Sequence, residues 1–275
     1  MEPEKTKKEK SWVRELIEDA VVLILILAIA RVTLGAHTLV PLVAVTSASM
    51  EHRLNLVSGG QYMMCGNQYG QLQEADWWAE CGRWYSKRGI NKTLFDTFSL
   101  SGGFNTGDMI LVRSPDAKLG DIIIYKRDKG HLGMGDNAPA GAVSHARRAS
   151  DNSPIIHRVV GVAYIKDWKL ESTEGTMDCV TGQEIERHAE HIKNCTHSKC
   201  NFEDTPEGGD FRFYVTKGDN NAITDQCGSG GGIAYPVPDS QVVARTWIRL
   251  PYVGHLKMIL SCILSPVIGT CPYLG

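Results

Sequence analysis

Between Ala20 and Val45 the chain carries only two ionisable side chains, Arg31 and His37. A run of that length has to be buried, in a core or in a bilayer, and it exceeds the ~20 apolar residues that cross one. Arg31 separates the purely apolar Ala20–Ala30 from the milder T-L-G-A-H-T-L-V-P-L-V-A-V. At mid-bilayer an arginine costs about 2.5–3.5 kcal/mol. A helix near Trp12–Leu34 places Arg31 toward the outer end, where its long stem reaches the interface. The first fourteen residues, M-E-P-E-K-T-K-K-E-K-S-W-V-R, hold five Lys/Arg, and a basic flank predicts an N-terminus inside. The expected organisation is a cytoplasmic segment 1–14, a transmembrane anchor 15–45, an extracytoplasmic domain 46–254 and an apolar segment 255–275. A removable signal peptide is the competing reading, with Ala20–Ala30 as its apolar stretch and the small residues of T-S-A-S as its cleavage site.

With 29 Lys+Arg against 31 Asp+Glu, no basic surface argues for nucleic acid. Eight cysteines occur, six of them (Cys65, Cys81, Cys179, Cys195, Cys200, Cys227) in the exterior portion. An even number in an oxidising compartment suggests up to three disulfides whose pairing the spacing leaves open. H-A-E-H-I-K-N-C-T-H-S-K-C, His188–Cys200, offers zinc-type ligands, but its spacing fits no common template, and a disulfide-stapled loop is preferred.

Short β-branched and aromatic runs lie at Met109–Arg113, Ile122–Tyr125, Ile155–Ile165, Phe211–Thr216 and Gln241–Leu250. Bounded by Gly, Asp, Pro or Asn, they predict strands and a mainly β domain. Three polar stretches between them, 53–104, 128–153 and 166–210, read as long inserted loops, the last with a short helix near Gln183–Lys193. The tail Met258–Ile268 suits a second span, a membrane-resting segment or a core strand.

Chemistry-bearing residues stand beside these strands. S-A-S-M presents Ser47 and Ser49, I-I-H-R-V-V sets His157 in an apolar strand, and T-K-G-D-N-N-A-I-T-D follows a strand with Asp219 and Asp225. Serine becomes a useful nucleophile only when a base removes its proton, and a carboxylate can fix that base's tautomer. Each cluster alone is weak.

Their order is specific. S-A-S-M just after an apolar segment, G-D-M-I-L-V-R, G-D-I-I-I-Y-K-R, I-I-H-R-V-V-G-V and T-K-G-D-N-N-A-I-T-D resemble the conserved boxes of type I signal peptidases. Histidine in the middle box matches the archaeal and endoplasmic-reticulum branch, and A-R-T-W-I-R-L-P-Y-V-G-H resembles the end of that branch's catalytic domain. The resemblance runs from about residue 12 to 260 and skips the three insertions. It implies a signal-peptidase-like β catalytic domain on a membrane helix, in the cell membrane or the endoplasmic-reticulum membrane. It also implies a serine endopeptidase acting on signal-peptide-bearing preproteins, without metal or organic cofactor. Ser49 would be the nucleophile and His157 the general base. Asp225 would orient the histidine, with Asp219 supporting the site or substituting for it. The Ser49 N–H and the Ser47 hydroxyl would form the oxyanion hole. The lipid bilayer and accessory membrane subunits are the other partners this organisation suggests.

One departure is plain: the family's S-M-x-P reads S-M-E-H here, with His52 at the proline position. His52 is therefore an alternative base, and a catalytically inactive relative an alternative function. A disulfide-rich, membrane-anchored binding ectodomain is the alternative from another class.

Overall fold

The computed structural model describes residues 5–34, 41–57, 60–128, 154–195, 202, 204–228 and 232–255. The expected apolar tail beyond 255, nearly all of the insertion 128–153 and the anchor residues 35–40 lie outside the described residues.

Lys5–Leu34 form helix α1, about 45 Å long at 1.5 Å per residue. Among the described residues no helix is long and apolar enough to cross a membrane. The reason is local. Charges continue through Asp19 and return at Arg31, leaving the eleven residues Ala20–Ala30 as the charge-free part of the helix.

The domain that follows is mainly β. The first short strands are β1 (Leu42–Ala44), β2 (Asn55–Val57), β3 (Gln61–Met64) and β4 (Asn67–Tyr69). The expected runs become β5 (Met109–Arg113), β6 (Ile122–Tyr125) and β7 (Ile155–Lys166), the last pairing with β8 (Lys169–Gly175). β9 (Phe211–Lys217), β10 (Val237–Pro238) and β11 (Val242–Leu250) complete the set. An eight-stranded antiparallel sheet runs β1-β5-β11-β6-β7-β9-β10, with β8 on β7. Register shifts within β7 and β11 mark bulges, which bend strands and increase their twist, and the sheet curls into a half-barrel. β6 is buried along its whole length and β7 nearly so, which accounts for their unbroken apolar runs.

The stretch 53–104 is not a loop. It forms the three-stranded β2-β3-β4 sheet and helices α2 (Trp77–Ser86) and α3 (Lys92–Asp96). Trp77, Cys81 and Tyr85 recur at helical spacing and are buried, while Asp76 caps α2 by accepting from the Trp78 N–H at 2.9 Å. Polar and glycine-rich flanks hide that stripe in the sequence. These side chains join one hydrophobic cluster with Phe95, Val160 and Phe213, so the insertion shares its core with the sheet.

The third stretch contains β8 and helix α4 (Gly182–Asn194), close to the helix expected at Gln183–Lys193. Thr181 and Glu184 form a reciprocal capping box, satisfying donors that a helix start leaves open. Ile185, Ala189 and Ile192 give α4 its buried stripe. Disulfides join Cys65 to Cys81 and Cys179 to Cys227, and Cys195 is also disulfide-bonded. By loop closure the first two contribute about 3 and 4 kcal/mol. Among the described residues no cluster fits a metal ion.

His188 on α4 faces Tyr235 and Phe202, with ring centroids 4.9 and 5.9 Å away. Burial, aided by Arg187 and His191 and opposed by Glu184 and Asp128, pushes its imidazole down to about 4. The fold therefore holds His188 neutral, and the unfolded chain takes up the proton first as pH falls below about 6.5. Between pH 7 and 5 this should cost about 2 kcal/mol of stability. Urea unfolding at the two pH values should show the wild type losing that much more than His188→Phe; equal losses would place the imidazole in a solvated setting.

Candidate active site

Two elements of the curled sheet bring the expected residues together. β1 pairs with β5, and the chain leaving β1 is tied down as the Val45 N–H donates to the Asp108 carbonyl at 2.9 Å and the Gly107 N–H to the Val45 carbonyl at 2.9 Å. Met50 is buried against Val45, Phe104 and Ile110. Its backbone carbonyl accepts from the Phe104 N–H at 3.2 Å. Ser49, one residue earlier, is half-buried and Ser47 is exposed. The buried methionine thus anchors a turn that leaves the serine accessible.

His157 lies on β7 opposite Ile123 of β6, and Arg158 lies opposite Lys217 at the end of β9. The G-D-N-N turn leaving β9 therefore passes directly beside His157. Gly218 makes that approach possible, because a Cβ there would lie 2.9 Å from the His157 Nε2 and 2.6 Å from the Asn221 side chain.

The His157 Nε2 is 3.0 Å from the Ser49 Oγ, and its Nδ1 is 2.6 Å from the Asp225 Oδ2. Asp225 Oδ2 also accepts from the Tyr125 hydroxyl at 2.8 Å and the Thr216 hydroxyl at 2.6 Å. A carboxylate with those donors around it sets the histidine proton on Nδ1 and leaves Nε2 to accept from serine. His157 and Asp225 are buried, at 5% and 3% exposure, so the hydrogen bonds are little screened by water. Asp225 is held by its backbone as well: its N–H donates to the Thr216 carbonyl at 2.8 Å, and its carbonyl accepts from the Ile233 N–H at 2.7 Å. The Cys179–Cys227 disulfide fastens the same loop two residues on, joining it to the third insertion as a tether of the glycine-rich C-G-S-G-G-G.

Ser47 completes the cluster. Its hydroxyl donates to the Ser49 Oγ at 3.2 Å and accepts from the Ser49 N–H at 3.2 Å. Both bonds are long. The Ser49 N–H is thus directed at the Ser47 oxygen and the Ser47 O–H at the Ser49 oxygen; a developing oxyanion beside Ser49 would have to draw both donors from these long bonds.

Asp219 occupies a different position. It takes two hydrogen bonds from Arg158, Nε to Oδ1 at 2.8 Å and a terminal nitrogen to Oδ2 at 2.6 Å. The Tyr85 hydroxyl donates to Oδ1 at 2.9 Å, and the His52 Nε2 lies 2.9 Å from Oδ2. Burial opposes the Asp219 charge, but the Arg158 guanidinium outweighs it and holds the carboxyl well below the usual carboxylate range. His157 contacts Asp225; Arg158, the next residue, contacts Asp219. His52 contacts Asp219, while the Ser49 hydroxyl pairs with Ser47 and His157.

Sequence reasoning missed Tyr125, Thr216, Arg158, Tyr85 and Trp77. Tyr125 and Thr216 end expected strands flanking β7, so strand pairing would have pointed to them. Tyr85 and Trp77 lie in the insertion, where nothing local marks a role. Comparison with protein-family models, with characterised proteins and with solved structures gives no match.

Proposed function

We propose that this protein is a membrane-anchored serine endopeptidase that removes signal peptides from exported preproteins. The observation that carries the reading is the continuous Ser49–His157–Asp225 chain, at 3.0 and 2.6 Å, formed by residues distant in sequence. In this reaction Ser49 attacks the scissile carbonyl while His157 takes its proton and then delivers it to the leaving amine. Water releases the acyl group by the same route. Asp225 keeps the Nδ1 proton in place, and the Ser49 N–H with the Ser47 hydroxyl binds the oxyanion.

Signal peptides as the substrate class, and a preference for small residues one and three positions before the cut, are what the resemblance of the sequence boxes to type I signal peptidases implies. Membrane attachment through 15–45 is the sequence reading; no described helix is long and apolar enough to cross a bilayer, and what supports attachment is that α1 exposes Val21, Val22, Ile24, Leu25, Ile26 and Ile29, side chains that water solvates poorly. The enzyme then faces an oxidising, extracytoplasmic space, as the disulfides favour. A nucleophile a few residues beyond the anchor is held at the depth where its substrate emerges, lowering the entropic cost of their encounter.

A serine-directed acylating probe separates this reading from a non-catalytic ectodomain or an inactive relative. Peptide mapping should find the adduct on Ser49 and on neither Ser49→Ala nor His157→Ala. Folded wild-type protein that leaves Ser49 unmodified would overturn it.

A further inference from the structure

We infer that the first insertion is a brace that positions the nucleophile, with His52, Trp77 and Tyr85 as positioning residues acting through Asp219 and Asn220. The inference rests on the reading of Ser49 as nucleophile for its effect on rate, though not for the mechanical coupling itself. The coupling is continuous. Trp77 of α2 stacks on the His52 ring at 3.6 Å with planes 2° apart. His52 and Tyr85 both bond Asp219, whose N–H donates to the Met50 sulfur at 3.4 Å. The next residue, Asn220, donates its N–H to the Ser49 carbonyl at 2.8 Å and accepts from the Cys65 N–H at 3.0 Å. Cys65 is bonded to Cys81 on α2, which closes the circuit on the helix that carries Trp77 and Tyr85.

Each part fits this role better than a merely structural one. Asp219 is fully buried and already doubly bonded by Arg158, so charge neutralisation alone does not require the bonds from His52 and Tyr85. Those bonds join the insertion and the nucleophile's own segment to a single carboxylate. His52 follows directly on the turn closed by the Glu51 N–H donating to the Ala48 carbonyl at 3.1 Å. Gly103, at φ +65°, lets the end of the insertion close over it, since a Cβ there would lie 2.6 Å from the His52 ring and 2.3 Å from the Met50 carbonyl oxygen. The segment after Ser49 is thus held by stacking and hydrogen bonds. A displacement of about 1 Å at a reacting group can cost ~100-fold in rate.

The test uses the full chain and the variants Tyr85→Phe, Trp77→Ala, His52→Ala and His52→Gln. Tyr85→Phe removes one oxygen and is expected to fold if Trp77→Ala does not. Hydrogen exchange of the Asn220 amide, which reports its bond to Ser49, should quicken in Tyr85→Phe, Trp77→Ala and His52→Ala while the amides of β6 and β7 stay protected. Acylation of Ser49 by the probe should slow about 10- to 100-fold, with the pH midpoint of the reaction unmoved because His157 and Asp225 are untouched. His52→Gln, which keeps a donor for Asp219, should recover much of the rate lost in His52→Ala. Unchanged Asn220 exchange in Tyr85→Phe and His52→Ala would overturn the brace. Wild-type protein that resists acylation would sink the nucleophile assignment instead, and the exchange data would still decide the brace.

Discussion

Replacing Asp225 with asparagine is expected to lower kcat about 10⁴-fold while leaving KM nearly unchanged. Asparagine keeps the shape of the carboxylate but can present an N–H to His157 Nδ1. The imidazole would then settle with its proton on Nε2, directed at Ser49, and could no longer accept the serine proton. Thr216 and Tyr125 donate to the same Asp225 oxygen that His157 uses, so this outcome requires both hydroxyls to turn and accept from the amide. Asp225→Ala, which offers no N–H, measures the loss of the carboxylate free of that competition. Asp219→Asn should behave differently, weakening the fold more than the chemistry, since Asp219 bonds Arg158, Tyr85 and His52. Turnover of a peptide with an Ala-x-Ala site by the two asparagine variants measures the ranking. A larger loss of kcat in Asp219→Asn would make Asp219 the orienting acid.

The second large effect concerns stability. Arg158 is fully buried, and besides Asp219 it donates to the carbonyls of Ser99, Gly120 and Leu100 at 2.8, 2.9 and 3.1 Å. Its guanidinium lies 4.9 Å from the Phe95 ring centroid. Arg158→Met keeps most of the volume and removes every donor. A buried carboxylate then loses its cation, and three carbonyls lose a partner. Breaking one side of a buried ion pair typically costs 3–5 kcal/mol, so a loss of about 4 kcal/mol is expected. In a chain of this size that corresponds to a drop of roughly 10 °C in Tm. Urea and thermal unfolding would check it. A loss below about 1 kcal/mol would mean that His52 and Tyr85 alone satisfy Asp219.

The five principal strands were legible because their apolar, β-branched runs are bounded by turn formers, and each run forms a strand within a residue or two of its expected ends. Ser49, His157 and Asp225 were legible as a set only through the order of their boxes; a histidine in an apolar strand says little by itself. Which aspartate meets His157 was not legible. Both lie in one turn, and the choice depends on Arg158 taking Asp219, a consequence of pairing β7 with β9. The first insertion was misread for a different reason. Its helix α2 is ten residues long, and its buried stripe of Trp77, Cys81 and Tyr85 is interrupted by the exposed or half-buried Trp78, Glu80 and Arg83. Besides the nearby Phe95, the partners that justify burial lie on β7 and β9, remote in sequence.

The decisive measurement is cleavage of a preprotein bearing an Ala-x-Ala site by the full chain in lipid. The wild type should cut at the bond after the second alanine, and Ser49→Ala should not. An equal yield of mature product from Ser49→Ala would contradict the reading of Ser49 as nucleophile.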